Sequence, residues 1–219
     1  MRWCLAVETT GGDLPIFTIL MGLFGGLGLF LFGMDLMSTA LKAVAGDRMK
    51  FMLARLTTNR FTGALTGAAV TAAVQSSSIT TVLVVGFVSA GLMTLTQSIG
   101  VIFGANIGTT ITAQIVAFKV TKLALLMVAV GYGLMLIGRA DRLREYGRLV
   151  LGLGLIFFGM TVMGEGVAPL RAWPPFQSLM VRLANPLLGI LVGAAFTAVV
   201  QSSSATTGIV IALAQQGLI

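Results

Sequence analysis

Long apolar runs separated by short polar interruptions dominate the chain, and this alternation predicts membrane helices. Ile16 to Met37 is the first long run, and its 22 residues suffice to cross a hydrocarbon core of about 30 Å. Ser38 to Arg60 follows, with Lys42, Arg48, Lys50, Arg55 and Arg60 interleaved among apolar residues, the pattern of an amphipathic helix lying at the interface. From Phe61 to Met93 the apolarity returns, but Gln75-Ser76-Ser77-Ser78 cuts it into two pieces, each short of the ~20 residues a crossing needs. The pattern therefore predicts a re-entrant helical hairpin whose polar tip reaches mid-membrane, its freed backbone groups buried in protein or lining a wet cavity.

Thr94 to Phe118 reads as a span interrupted by Gly104-Ala105-Asn106-Ile107-Gly108-Thr109-Thr110, and Leu123 to Ile137 is short for a crossing. The loop Gly138 to Arg148 holds Arg139, Arg142, Arg144 and Arg148. Leu149 to Met163 begins the next span, and a loop with Pro169, Pro174, Pro175 and Pro186 leads to an apolar run broken by Gln201-Ser202-Ser203-Ser204. Residues 1 to 15 carry Arg2, Glu8 and Asp13 and lack the apolar core of a signal peptide, so they read as a polar lead-in.

Sliding the sequence against itself by 126 residues aligns Gly26 to Met93 with Gly152 to Ile219 without a gap, with 27 of 68 pairs identical. The longest match sets Thr71 to Thr81 over Thr197 to Thr207. Asn59 pairs with Asn185, and Gly63 and Gly67 pair with Gly189 and Gly193. Three crossings and a hairpin separate equivalent points, an odd number however the hairpin is counted, so the second copy is expected to be inverted. The charges agree: the interfacial segment of the first copy carries five Lys and Arg, whereas its partner keeps only Arg171 and Arg182.

Composition sharpens the class. Of 219 residues, 57% are apolar and only 10% charged, against about 25% charged in a soluble domain. The chain lacks His and has one Cys, Cys4, which removes disulfide frameworks, His/Cys metal sites and His-activated nucleophiles within it. The net charge of +7 records orientation rather than nucleic-acid binding. Placing Ser38 to Arg60 and the loop Gly138 to Arg148 on one side collects nine of the 14 Lys and Arg there, and that side is expected to be cytoplasmic.

Inverted repeats with broken helices are an architecture of secondary transporters, whose substrate sits near the midplane between the halves. After each QSSS a helix is expected to start, turning unpaired N–H groups and a positive dipole end toward the site. The Ser hydroxyls and the Gln amide add donors suited to a small oxyanion. No Lys or Arg lies at membrane depth in these segments, so co-bound cations held by carbonyls, hydroxyls and Asn oxygens would balance the charge. Asp35 reads as an interfacial carboxylate, since its counterpart is Thr161, and the pairs Gly22/Gly26, Gly63/Gly67 and Gly189/Gly193 read as close-packing surfaces.

The paired QSSS motifs, with their matching flanks, make the chain resemble the type II sodium-dependent phosphate cotransporter family over Ile16 to Ile219. The resemblance implies that Gln75, Ser76, Ser77 and Ser78 with Gln201, Ser202, Ser203 and Ser204 line a phosphate site. It further implies that Thr80, Thr81, Thr206 and Thr207 help to bind phosphate or sodium, and that Asn106, Thr109 and Thr110 are the broken-helix contribution of the first half. Ile219 matches Met93, so the second copy lacks the spans that follow the first hairpin, and a fragment or a completing second chain is expected. Bacterial members of the family often continue into a soluble regulatory domain.

The expectation is thus an all-α polytopic protein of the inner membrane, with a lead-in over residues 1–15, a first repeat over 16–137, a basic loop over 138–148 and an inverted repeat over 149–219. Its expected work is sodium-coupled phosphate symport by alternating access, without enzymatic activity and without a cofactor beyond the coupling sodium. Phosphate, sodium and the bilayer are the expected partners, with nucleic acid excluded and a second chain, identical or completing, in reserve. The alternatives are a symporter of another small anion and a non-transporting subunit for phosphate sensing.

Overall fold

The computed structural model describes residues 16–55, 57, 59–117, 123–138, 140–183 and 185–218, and these are helical apart from short connections. The expected lead-in, residues 1–15, lies outside them. In chain order the helices are α1 (Ile16–Arg55), α2 (Arg60–Val74), α3 (Ser77–Ser89), α4 (Leu95–Ala117), α5 (Ala124–Ile137) and α6 (Asp141–Val167). A 3₁₀ turn (Ala168–Ala172), α7 (Pro174–Leu183), α8 (Pro186–Val200) and α9 (Ser203–Gln215) complete the order.

Several expected boundaries move. The first span and most of the interfacial segment, Ser38 to Arg55, are one 40-residue helix, α1, and Arg60 opens α2. Between Pro15 and Pro169 the chain has no proline, so nothing removes a ladder hydrogen bond there. Most of the expected basic loop forms the opening turns of α6, where Arg148 donates to Glu145 at 2.6 Å. The proline-rich loop is largely helical, with Pro174 and Pro186 opening α7 and α8, since proline at the first helical position forfeits no intrahelical bond. The stretches Ile16–Val44 and Asp141–Ala172 are long and apolar enough to cross a bilayer, and α7 with α8, bent by 107°, makes a third if taken as one broken span.

The chain clusters into two compact units. One is Leu29–Phe158. In it the C-terminal part of α1 packs on α6: a Cβ on Gly33 would sit 2.6 Å from the Gly152 carbonyl oxygen, so only a hydrogen fits. Helices α2 and α4 run parallel in a fixed register, Gly100, Gly104 and Gly108 lying against the backbones of Arg60, Ala64 and Ala68. Gly67 returns the approach against Val101. Because α2 and α4 point the same way, α3 carries the chain back between them. Val70, Val74, Val84 and Val101 of these three helices, with Met93 from the connection between α3 and α4, form a buried cluster.

The described residues of Met1–Gly28 together with those of Gly159–Ile219 form the other unit. Here Gly22 meets Gly166, and Gly26 faces the Gly159 carbonyl and Met163. Phe17, Phe24 and Met21 are exposed on α1. Large apolar side chains on the outside with glycines on the inside suit a helix whose surroundings are lipid. Helix α8 has no buried residue, and a Cβ on Gly193 would meet nothing, whereas its counterpart Gly67 is closely covered.

Candidate functional site

Each QSSS motif breaks a helix without proline or glycine. Gln75 ends α2 in the left-handed conformation (φ 58°), its N–H donating to the Thr71 carbonyl at 2.7 Å, and Gln201 ends α8 likewise (φ 57°) onto Thr197 at 2.8 Å. In each case the glutamine amide folds back to donate to a carbonyl three residues earlier, Ala72 or Ala198. A left-handed non-glycine residue costs roughly 1–2 kcal/mol, and such strain collects at functional sites.

The next residue starts the following helix. Ser76 is extended (φ −149°), and its Oγ accepts from the N–H of Ile79 at 3.3 Å. Ser202 does the same for Ala205 at 3.2 Å (φ −144°). Serine side chains compete with the helix ladder for backbone donors, which is why a serine run ends one helix and caps the next. With the third N–H taken by the cap, the first two N–H groups of α3 (Ser77, Ser78) and of α9 (Ser203, Ser204) are left without an intrahelical partner by helix geometry. Both helices run 13 residues, enough for the positive end of a dipole.

Below each tip two threonines bridge the helices. The Thr71 hydroxyl donates to Thr80 at 2.9 Å, and Thr80 donates to the Ser76 carbonyl at 3.2 Å. The offset copies it: Thr197 donates to Thr206 at 3.0 Å, and Thr206 to the Ser202 carbonyl at 3.1 Å. Thr71 and Thr80 are fully buried. Thr81 donates to the Ser77 carbonyl at 2.8 Å, and Thr207 is exposed. Around the first tip, Gln75, Ser76 and Ser77 are half-buried and Ser78 is exposed; around the second, Ser202 and Ser204 are half-buried while Gln201 and Ser203 are exposed.

The expected interruption at Gly104 to Thr110 is absent, because α4 runs through it as one helix. Its glycines are used for contact: Gly104 and Gly108 lie against Ala64, Ala68 and Thr71 of α2, and that packing offsets their poor helix propensity. Asn106 and Thr110 are exposed, on other faces of α4 than these glycines. Thr109 and Thr110 donate to the Ala105 and Ile107 carbonyls, as hydroxyls in an unbroken helix do.

Two helix starts near the motif had readable signals that the apolar pattern overshadowed. Asn59 accepts from the N–H groups of Phe61 and Thr62 while the Thr62 hydroxyl takes the Asn59 N–H, a capping box. Thr94 and Gln97 form another at the head of α4.

No group of His, Cys, Asp or Glu side chains among the described residues is placed to hold a metal ion. Comparison with known proteins gives the family. A model described as Na+/Pi-cotransporter matches residues 29–165 and 172–219. The chain is 30% identical over 201 residues, 91% of its length, to "Putative inorganic phosphate export protein YjbB" of Escherichia coli K12. It is 30% identical over 191 residues to the uncharacterized protein YqeW of Bacillus subtilis, 87% of this chain and 62% of that one. Human "Sodium-dependent phosphate transport protein 2B" is 41% identical over 97 residues, 43% of this chain and 14% of that one. The chain spans 37% of the length of the YjbB protein. No solved structure matches it. With the model covering most of its length, and with the QSSS breaks lying inside the matched segments, this membrane protein belongs to the Na+/Pi-cotransporter family.

Proposed function

We propose that the protein carries inorganic phosphate across the cytoplasmic membrane together with sodium, as a multi-pass protein working by alternating access. One observation carries the reading: the same strained break, a left-handed glutamine followed by a serine cap, occurs twice at an offset of 126 residues. Evolutionary duplication of a helix pair needs no left-handed glutamine, and glycine would hold that backbone at lower cost.

In this reading the N–H groups at the starts of α3 and α9, with the side chains of Gln75, Ser76, Ser77, Ser78, Gln201, Ser202, Ser203 and Ser204, hold phosphate. The same tips end α2 and α8, so carbonyl oxygens and the negative ends of two dipoles lie beside the anion positions. Those carbonyls, with Thr81, Thr207, Asn106, Thr109 and Thr110, supply oxygens for sodium, which offsets the charge of phosphate in place of a fixed cation.

A second reading concerns direction. The YjbB relatives are named for phosphate export, and a symporter runs either way according to its gradients. The test is uptake of radiolabelled phosphate by proteoliposomes holding the intact protein, with sodium or choline outside and with sulfate or arsenate as competitors. Uptake that needs the sodium gradient and ignores sulfate supports the reading. Equal uptake in choline removes sodium coupling, and no flux in either direction favours a sensing subunit.

A further inference from the structure

We infer that Thr71 and Thr197, which lie outside the QSSS motifs, are positioning residues for the phosphate site, acting through Thr80 and Thr206. The inference rests on the proposed phosphate reading and assigns the two partner threonines a role different from sodium ligation.

The hydrogen bonds run in one direction. The Ser76 carbonyl accepts from the Thr80 N–H and from the Thr80 hydroxyl, each 3.2 Å away. Thr80 must then accept at its oxygen, and the proton it accepts comes from Thr71, 2.9 Å away. The chain of bonds thus runs from Thr71 on α2 to Thr80 on α3 and on to the carbonyl of the capping residue. Thr197, Thr206 and Ser202 repeat it at 3.0 and 3.1 Å. The arrangement thus recurs in both copies of the repeat, although their packing surroundings differ.

The carbonyl that receives the last bond belongs to the residue whose extended conformation sets where the next two N–H groups point. Ser76 is bonded at both ends, its Oγ by the Ile79 N–H and its carbonyl by Thr80. Thr71 fixes Thr80, so it fixes Ser76 at one remove. The first copy is sealed from solvent: Thr71 and Thr80 are fully buried, and Gly108 of α4 lies against Thr71 where any side chain would collide. With its oxygen accepting from Thr71 and its surface covered, the Thr80 hydroxyl suits holding a carbonyl better than meeting a hydrated cation.

The test uses the intact protein in proteoliposomes, with Thr71→Val, Thr71→Ser, Thr197→Val and Thr80→Val. Thr71→Val keeps shape and removes the hydroxyl. The expected result is a phosphate KM raised about tenfold, with the half-saturating sodium concentration at saturating phosphate within twofold of the parent, since a buried hydrogen bond is worth about 1–1.5 kcal/mol. Thr71→Ser should restore KM to within twofold. Hydrogen exchange gives a readout independent of transport: without phosphate, the hydrogen-bonded Ile79 and Thr80 amides should exchange about tenfold faster in Thr71→Val than in the parent. Thr197→Val should do the same for Ala205 and Thr206, which covers the case in which the buried Thr71→Val variant is not recovered from membranes. A Thr80→Val variant that raises the half-saturating sodium concentration tenfold and leaves phosphate KM alone would overturn the inference in favour of sodium ligation. Unchanged exchange at both tips would overturn it as well. Failure of the parent protein to take up phosphate, with the exchange effect intact, would count against the proposed function instead.

Discussion

Ser38, on α1, donates its hydroxyl proton to the carbonyl of Val74, the last residue of α2, at 2.8 Å. The bond answers a need created by the QSSS break. Ending a helix leaves its last carbonyls without partners, and here Thr71 takes the Gln75 N–H, Ala72 takes the Gln75 amide and Val74 takes Ser38. The offset pairs Gly164 with Ser38, so the matching position in the second copy carries no hydroxyl.

Ser38→Ala is therefore expected to cost about 1–3 kcal/mol, the penalty for leaving a buried carbonyl unpaired. Thermal unfolding in detergent should show it as a lowered midpoint, while Ser38→Thr keeps most of the parent value.

Gln75→Gly and Gln201→Gly separate stability from function. Each relieves a left-handed non-glycine backbone, a gain of roughly 1–2 kcal/mol, and loses the amide hydrogen bond to Ala72 or Ala198, a loss of about 1 kcal/mol. The midpoint of unfolding should move little or rise. Sodium-dependent phosphate uptake should fall at least tenfold, and uptake within twofold of the parent by both variants would refute the assignment of the glutamines to the site.

Glycine positions on one molecule should respond in opposite senses. Gly104→Leu drives a side chain into the Ala64 backbone, and overpacking of this kind costs about 1–3 kcal/mol or more. Gly25 has open space where a Cβ would go, so Gly25→Leu should be neutral or slightly stabilising, since leucine exceeds glycine in helix propensity by about 0.8 kcal/mol. Yield of folded protein and thermal midpoint, measured together, check the contrast.

The two asparagine caps should behave alike. Asn59→Ala removes the acceptor for two N–H groups of α2, and Asn185→Ala removes the one for Leu187 on α8. About 1 kcal/mol is expected from each, the usual cost of an N-cap. Hydrogen exchange at the first turns of α2 and α8 should report the loss locally.

The duplicated motif was legible from residues alone, and so was the place of the breaks. Four polar residues in an apolar run leave pieces too short to span, and serine's competition for backbone donors is a local property of the chain. The matched Asn59 and Asn185 and the two QSSS runs became equivalent caps and helix breaks. Gly104 to Thr110 was not legible in the same way. Its glycines suit either a break or a close contact, and local sequence does not distinguish them.

What the sequence determined by itself is the class and the repeat: helices for a membrane, helix ends set by serine and asparagine side chains, and a motif copied at a fixed offset. These follow from interactions within a few residues of each other, or from composition. Only the tertiary structure decided which glycines face a neighbour, that Ser38 reaches Val74, and that α1 continues through its basic stretch. It also showed Thr71 joined to Thr80 and thence to Ser76. Those outcomes depend on which surface another helix presents, so the same glycine is a contact at position 104 and open space at position 25.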